Sequence, residues 1–166
     1  VTNNLQRIRE LAVQSANATN SSSDRDNLNA EFTQLSAEID RTLEGTKFNG
    51  KAILGTDAAS MTFQIGAGTS ATDTIDVNTS DMTSDTDLIA VIAASIDGSD
   101  AANASEAIDL IDAALDRVNT ERATMGAMQN RFESIIGNLQ VATENQSAAR
   151  SRIMDADFAA QTAALT

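Results

Sequence analysis

The residues best suited to chemistry in this chain are few and mostly acidic. Asp and Glu number 24 against 11 Lys and Arg, for a formal net charge of −13, and there is no His and no Cys. Two acidic clusters, SDTD at 84–87 and DGSD at 97–100, invite a cation, but neither has the calcium-loop pattern, so both read as solvated loop carboxylates. Asp155 and Asp157 stand close to Arg150 and Arg152 in sequence, where local helix ion pairs account for them without catalysis. The stretch GAGTS at 66–70 resembles part of a phosphate loop, yet it lacks the following GK[ST] and the strand-to-helix context, and reads as a hairpin loop. Matches to N-x-[ST], such as Asn17-Ala18-Thr19, arise by chance in a chain this rich in Asn, Ser and Thr.

The absences narrow the field further. Without His or Cys, the usual zinc sites, cysteine nucleophiles and Ser-His triads cannot be built. No catalytic residue, cofactor site or metal site is expected, and the chain reads as no enzyme. A basic stripe for phosphate is missing, which argues against nucleic acid, and an anionic membrane surface would repel the chain. No apolar run is long enough to cross a bilayer, and no secretion signal with a charged start and apolar middle is present. The chain starts VTNN without an initiator Met and ends AAQTAALT in a helical pattern, so it reads as a fragment of a longer protein.

With catalysis set aside, the informative residues are those that build elements. In LQRIRELAVQSAN, Leu5 to Asn17, a helical wheel gathers Leu5, Ile8, Leu11, Ala12 and Ser15 on one face and Gln6, Arg9, Glu10, Val13 and Asn17 on the other. Val13 therefore stands among polar residues, where an ordinary exposed apolar side chain competes with a contact to another molecule. The first helix is expected from about Thr2 to Asn17, ending in a polar stretch that favours caps and turns. Ser23 with Asp26 resembles a capping box opening a second helix, in which Leu28, Phe32, Leu35, Ile39 and Leu43 form one apolar stripe. Gly45 and the Phe48-Asn49-Gly50 turn end it.

The period then changes. Met61, Phe63 and Ile65 alternate with polar residues, as do Ile75 and Val77, and predict a β-hairpin around the Gly-rich loop. LIAVIAASI at 88–96 stays open between strand and buried helix. Last comes a column at seven-residue spacing, Ile111, Val118, Met125, Phe132, Leu139, Gln146, Ile153, beside a second column, Ala107, Ala114, Glu121, Met128, Ile135, Ala142, Ala149. Together they predict one long helix with a coiled-coil-like seam, interrupted at Glu121 and Gln146, which are expected to be exposed or to face an assembly. The columns alone span on the order of 70 Å of helix, against a radius of gyration of roughly 15 Å for a compact domain of this size. A rod follows, with aromatics at only 3% of residues leaving it a thin aliphatic core.

The fold class expected is therefore mainly α: an elongated antiparallel helical bundle of two N-terminal-side helices and one long C-terminal-side helix, with a docked β-hairpin. It is read as a single rod-like domain over 1–166, built from 1–50 (two helices), 51–103 (hairpin and loops) and 104–166 (long helix). Its packing seam is assigned to Leu5, Ile8, Leu28, Phe32, Leu35, Ile39, Ile111, Val118, Met125, Phe132, Leu139 and Ile153.

Four stretches carry a family resemblance: LQRIRELAVQSANATNS, EIDRTLEGTKFNG, MGAMQNRFESIIGNL and AARSRIMDADFA. They are long enough to be specific, and the chain resembles bacterial flagellin at both ends, over about 5–54 and 107–166. The resemblance implies the rod domain of a filament subunit, secreted through the flagellar export channel into an extracellular filament. Other flagellin subunits, a flagellar export chaperone and the filament cap would be its partners. Small shifts between packed rods would let the filament change supercoil. The resemblance also implies recognition by vertebrate Toll-like receptor five through Gln6, Arg7, Leu11 and Glu31, with Leu11 half-buried at the edge of the apolar face beside Arg7 and Gln14, and it moves Val13 toward a contact role. A hook-filament junction protein and a cell-surface adhesin on the same scaffold are the rival readings.

Overall fold

The computed structural model describes residues 1–165, and the side chains outside 155–160. Helix α1 (Thr2–Ser15) buries Leu5, Ile8, Leu11, Ala12 and Ser15, the face that the three-and-four spacing of apolar residues dictates. Helix α2 (Ser22–Gly45) lies antiparallel to it, since Arg7 bonds to Glu31 near mid-helix while Arg25 bonds to the carbonyl of Ser15 at the turn.

Helix α2 opens two residues earlier than the Ser23–Asp26 spacing predicts. Its N-cap is Ser21, whose Oγ accepts from the Asp24 N–H at 3.2 Å while the Asp24 carboxylate accepts from the Ser21 N–H at 3.0 Å. Both pairs have the right spacing, and the choice follows from Arg25. Starting at Ser21 places Arg25 one turn into the helix, where its guanidinium donates to the carbonyls of Ser15 (3.0 Å), Asn20 (3.0 Å) and Asn17 (3.2 Å). These carbonyls at the end of α1 and in the turn have no helical partners of their own. From the predicted stripe, Phe32, Ile39 and Leu43 are buried, and Leu28 and Leu35 pack half-buried at its margin.

A turn at 48–51 leads toward the hairpin, in which β1 (Ser60–Gln64) pairs antiparallel with β2 (Thr74–Asn78), setting Met61 opposite Val77 and Phe63 opposite Ile75. The alternation predicted for both strands is thus satisfied on one face. The Gly-rich loop between them is closed by Asp73, whose carboxylate accepts from the Ser70 N–H and whose side-chain atoms occupy the space where a Cβ on Gly66 or Gly68 would stand.

The open stretch at 88–96 resolves as helix α3 (Thr86–Ala93), with Leu88 and Val91 buried and Ile96 buried just beyond it. Asp85 decides this outcome: its side chain accepts from the N–H groups of Asp87 and Leu88 and caps the helix.

Helix α4 runs Ala102–Leu165, beginning two residues before the predicted boundary, with Asp100 Oδ1 accepting from the Ala102 N–H. The chain divides at 124/125 into two parts. In residues 1–124, Ala104, Ala107, Ile111, Ala114 and Val118 of α4 join residues of α1, α2 and α3 in the core. The alanines let the helix approach its neighbours closely, which is how a chain so poor in aromatics closes a core.

Within 125–165 the apolar spacing continues while burial falls away. Met125, Met128, Phe132 and Ile135 are half-buried, whereas Gln146 and the alanines at 142 and 149 are exposed. Leu139 is 43% exposed and Ile153 70% exposed, so these two assigned seam residues are not packed in this chain. A helix face is buried only where another element covers it, and 125–165 contains no second element to do so.

Candidate functional surfaces

The outer face of α1 carries Gln6, Arg9, Glu10, Val13 and Gln14, which line a shallow depression. Val13 is half-exposed there, at 50%. Arg7 lies at the edge shared with α2: its Nε and Nη2 donate to Glu31 Oε1 at 2.9 and 2.8 Å, and its Nη1 donates to Glu10 Oε2 at 3.0 Å. The carboxylate of Glu31, then that of Glu10, raises the Arg7 guanidinium above its ordinary value. Both ends of the Arg7–Glu31 pair are half-exposed, so solvent screens it and its contribution to stability is small. What it does is hold two long side chains in one arrangement on the surface.

Leu11 differs from expectation. It is 1% exposed rather than half-buried, inside the core cluster with Leu5, Ile8 and Phe32; the wheel of one helix puts it at the margin of the apolar face, and α2 packs against α1. Of the four residues assigned to receptor recognition, Gln6, Arg7 and Glu31 are at the surface and Leu11 is beneath it.

Two ionic ties fasten α4 within the first part. Arg9 donates to both carboxylate oxygens of Asp112, at 2.6 and 3.1 Å, and this hydrogen-bonded pairing holds Asp112 below its ordinary value. The second tie includes Glu121, which the sequence placed on an exposed or assembly-facing position. Glu121 is instead 7% exposed, its carboxylate accepting from the N–H and hydroxyl of Ser80 and from Arg117. Burial of a carboxylate is tolerable when several donors replace water. Arg117 also donates to Asp85 Oδ2 at 2.7 Å, while the other oxygen of Asp85 caps α3. The signal for this group was the Asp85 cap ahead of an apolar run; the long-range pairing left none.

Among the described residues no group of His, Cys, Asp and Glu is placed to hold a metal ion, and no helix is long and apolar enough to cross a membrane. The ion pairs read for Asp155 and Asp157 lie outside the described side chains. These features define a mainly α protein, a helical bundle with one small antiparallel hairpin, whose polar side chains tie helices to one another. Residues 1–59 match the bacterial flagellin N-terminal helical region and residues 108–166 the bacterial flagellin C-terminal helical region. The chain belongs to the bacterial flagellin family.

It is 43% identical to a flagellin of Halalkalibacterium halodurans over 155 residues, covering 93% of this chain and 56% of that protein. With a Bacillus subtilis flagellin the identity is 37% over 196 residues, covering 98% of this chain and 62% of the relative. The crystal structure of Bacillus cereus flagellin superposes with a TM-score of 0.68 at 33% identity, over 82% of this chain and 76% of that one. The chain spans a little over half the length of the curated relatives it matches, 56% and 62% for the two named.

Proposed function

We propose that this chain is a structural part of a bacterial flagellar filament subunit, exported from the cell and packed among other flagellin copies in the extracellular filament. The observation that carries the proposal is the seam on 125–165. Apolar residues recur there at heptad spacing, yet Leu139 and Ile153 remain 43% and 70% exposed, and such a stripe gains stability only when another helix covers it. An export chaperone and the filament cap belong to the same reading, as partners before and during assembly. The test is a chimera in which this chain replaces the matching region of one of the relatives named above, expressed in a strain lacking its own flagellin. Filaments visible by electron microscopy and restored swimming are expected. A folded, secreted chimera that builds no filament overturns the proposal.

We also propose that vertebrate Toll-like receptor five recognises the α1–α2 edge through Gln6, Arg7 and Glu31, with Leu11 acting from beneath as a support. The Arg7–Glu31 pair favours this reading, because it holds a cation and an anion in fixed register on one exposed edge, an arrangement that complementary interfaces use for orientation. Arg7→Ala and Glu31→Ala are each expected to lower reporter-cell signalling while circular dichroism stays unchanged. Full signalling by both variants removes the assignment.

A further inference from the structure

The turn after α2 is exposed throughout 47–51. Phe48 and Lys51 face each other across it, with Phe48 N–H donating to the Lys51 carbonyl at 2.9 Å and Lys51 N–H donating to the Phe48 carbonyl at 3.0 Å. Between them stand Asn49, at φ 50°, and Gly50, at φ 82°, the left-handed geometry of a tight turn that Asn and Gly tolerate best. Neither the Asn49 carboxamide nor the Gly50 N–H has a hydrogen-bond partner among the described residues. Residues 47–51 are all exposed, and nothing lies within 4 Å of the position a Cβ would take on Gly50.

We propose that Asn49 is a site of spontaneous deamidation, with water as the only co-reactant. The Gly50 backbone nitrogen gives up its proton to solvent and attacks Asn49 Cγ. A C–N bond forms, the Cγ–Nδ2 bond breaks, and the leaving nitrogen takes a proton back from solvent and departs as ammonia, closing a five-membered succinimide. Water then opens the ring at one of its two carbonyls. One opening leaves an aspartyl residue; the other leaves an isoaspartyl residue, whose backbone runs through the former side chain and is one methylene longer. No electrons are transferred.

Three observations single this residue out. Asn49 is the one asparagine in the chain followed by Gly, so no side chain on the next residue obstructs the attack. Most others lie in helices α1, α2 and α4, where beyond the first turn the backbone amides are bonded and cannot turn toward the side chain. The chain's two lysines, Lys47 and Lys51, flank the turn, and nearby positive charge favours the negative charge that develops on the attacking nitrogen and on the carbonyl oxygen. The product introduces a carboxylate between two cations. In its isoaspartyl form it also lengthens the segment that the two Phe48–Lys51 bonds now span, so both bonds cannot persist.

The test is incubation of the whole folded chain at neutral pH, with peptide mass spectrometry reading amide-to-acid conversion at every asparagine and isoaspartyl methyl-transfer labelling reading the rearranged product. Asn49 is expected to convert first, with labelling confined to its peptide. Asn49→Ser abolishes that label without changing the circular dichroism, and Gly50→Ala slows conversion several-fold in the denatured chain, where turn geometry no longer matters. Conversion of another asparagine ahead of Asn49, no conversion at all, or conversion only after denaturation overturns the proposal.

Discussion

Arg25 shows how one side chain can set the geometry of two helices. It is 3% exposed, and among the described residues its hydrogen bonds go to backbone carbonyls and to no carboxylate. The guanidinium instead meets three carbonyls at the end of α1 and in the following turn, where the helix dipole is negative. Its three nitrogens each reach a different carbonyl, a spread that an ammonium, with all its donors on one atom, does not have. Arg25→Met keeps the apolar stem but leaves those carbonyls without donors. Urea denaturation is expected to show a loss of about 3 kcal/mol; an unchanged midpoint would mean that water replaces the guanidinium at no cost. Leu11 makes a related point. Its place at the margin of the apolar face of α1 predicts half-burial, but it is 1% exposed, because a wheel of one helix omits the neighbours that pack on it.

Among the elements, the start of α2 links capping to pH. The Ser21 hydroxyl and backbone N–H donate to Asp24 and hold its carboxyl below the ordinary value of 3.8. Thr83 does the same for Asp81 in the loop before α3. A carboxyl depressed in the folded state binds fewer protons than in the unfolded chain, so its stabilisation is present above the ordinary carboxylate range and is lost as pH falls through the lowered value. Ser21→Ala is expected to lower stability by about 1 kcal/mol at neutral pH. The gap between parent and variant should shrink as the pH is taken through the acid range, since protonated Asp24 no longer depends on the Ser21 donors. Denaturant titrations at a series of pH values check both, and a gap that stays constant into strong acid removes the Asp24 linkage.

Across the whole molecule, stability is expected to be unevenly distributed. The buried residues of α4 stop at Glu121, and residues 125–165 contain none among the described side chains. A helix with little tertiary packing holds its amides only through its own hydrogen bonds, and fraying costs little. Hydrogen exchange read by mass spectrometry should therefore be at least roughly tenfold faster over 125–165 than over 104–118 of the same helix. Equal protection along α4 would show that the exposed half is held by contacts of comparable strength.

Periodicity and composition by themselves determined the elements: the buried face of α1, the stripe of α2, the existence of the hairpin, and the single long helix. They also removed the chemistry that requires His or Cys. These features are local, since a helix or strand face is written in neighbours three, four or two residues apart. Tertiary structure alone decided which capping box opens α2, that Leu11 is fully rather than half buried, and that Glu121 is a buried acceptor. It also decided where along the heptad columns burial ends. Each of those outcomes depends on a partner outside the element concerned: the carbonyls of α1 and its turn for Arg25, Ser80 for Glu121, α2 for Leu11. Spacing within one helix can mark a face as apolar, but only the arrival of another element removes that face from water.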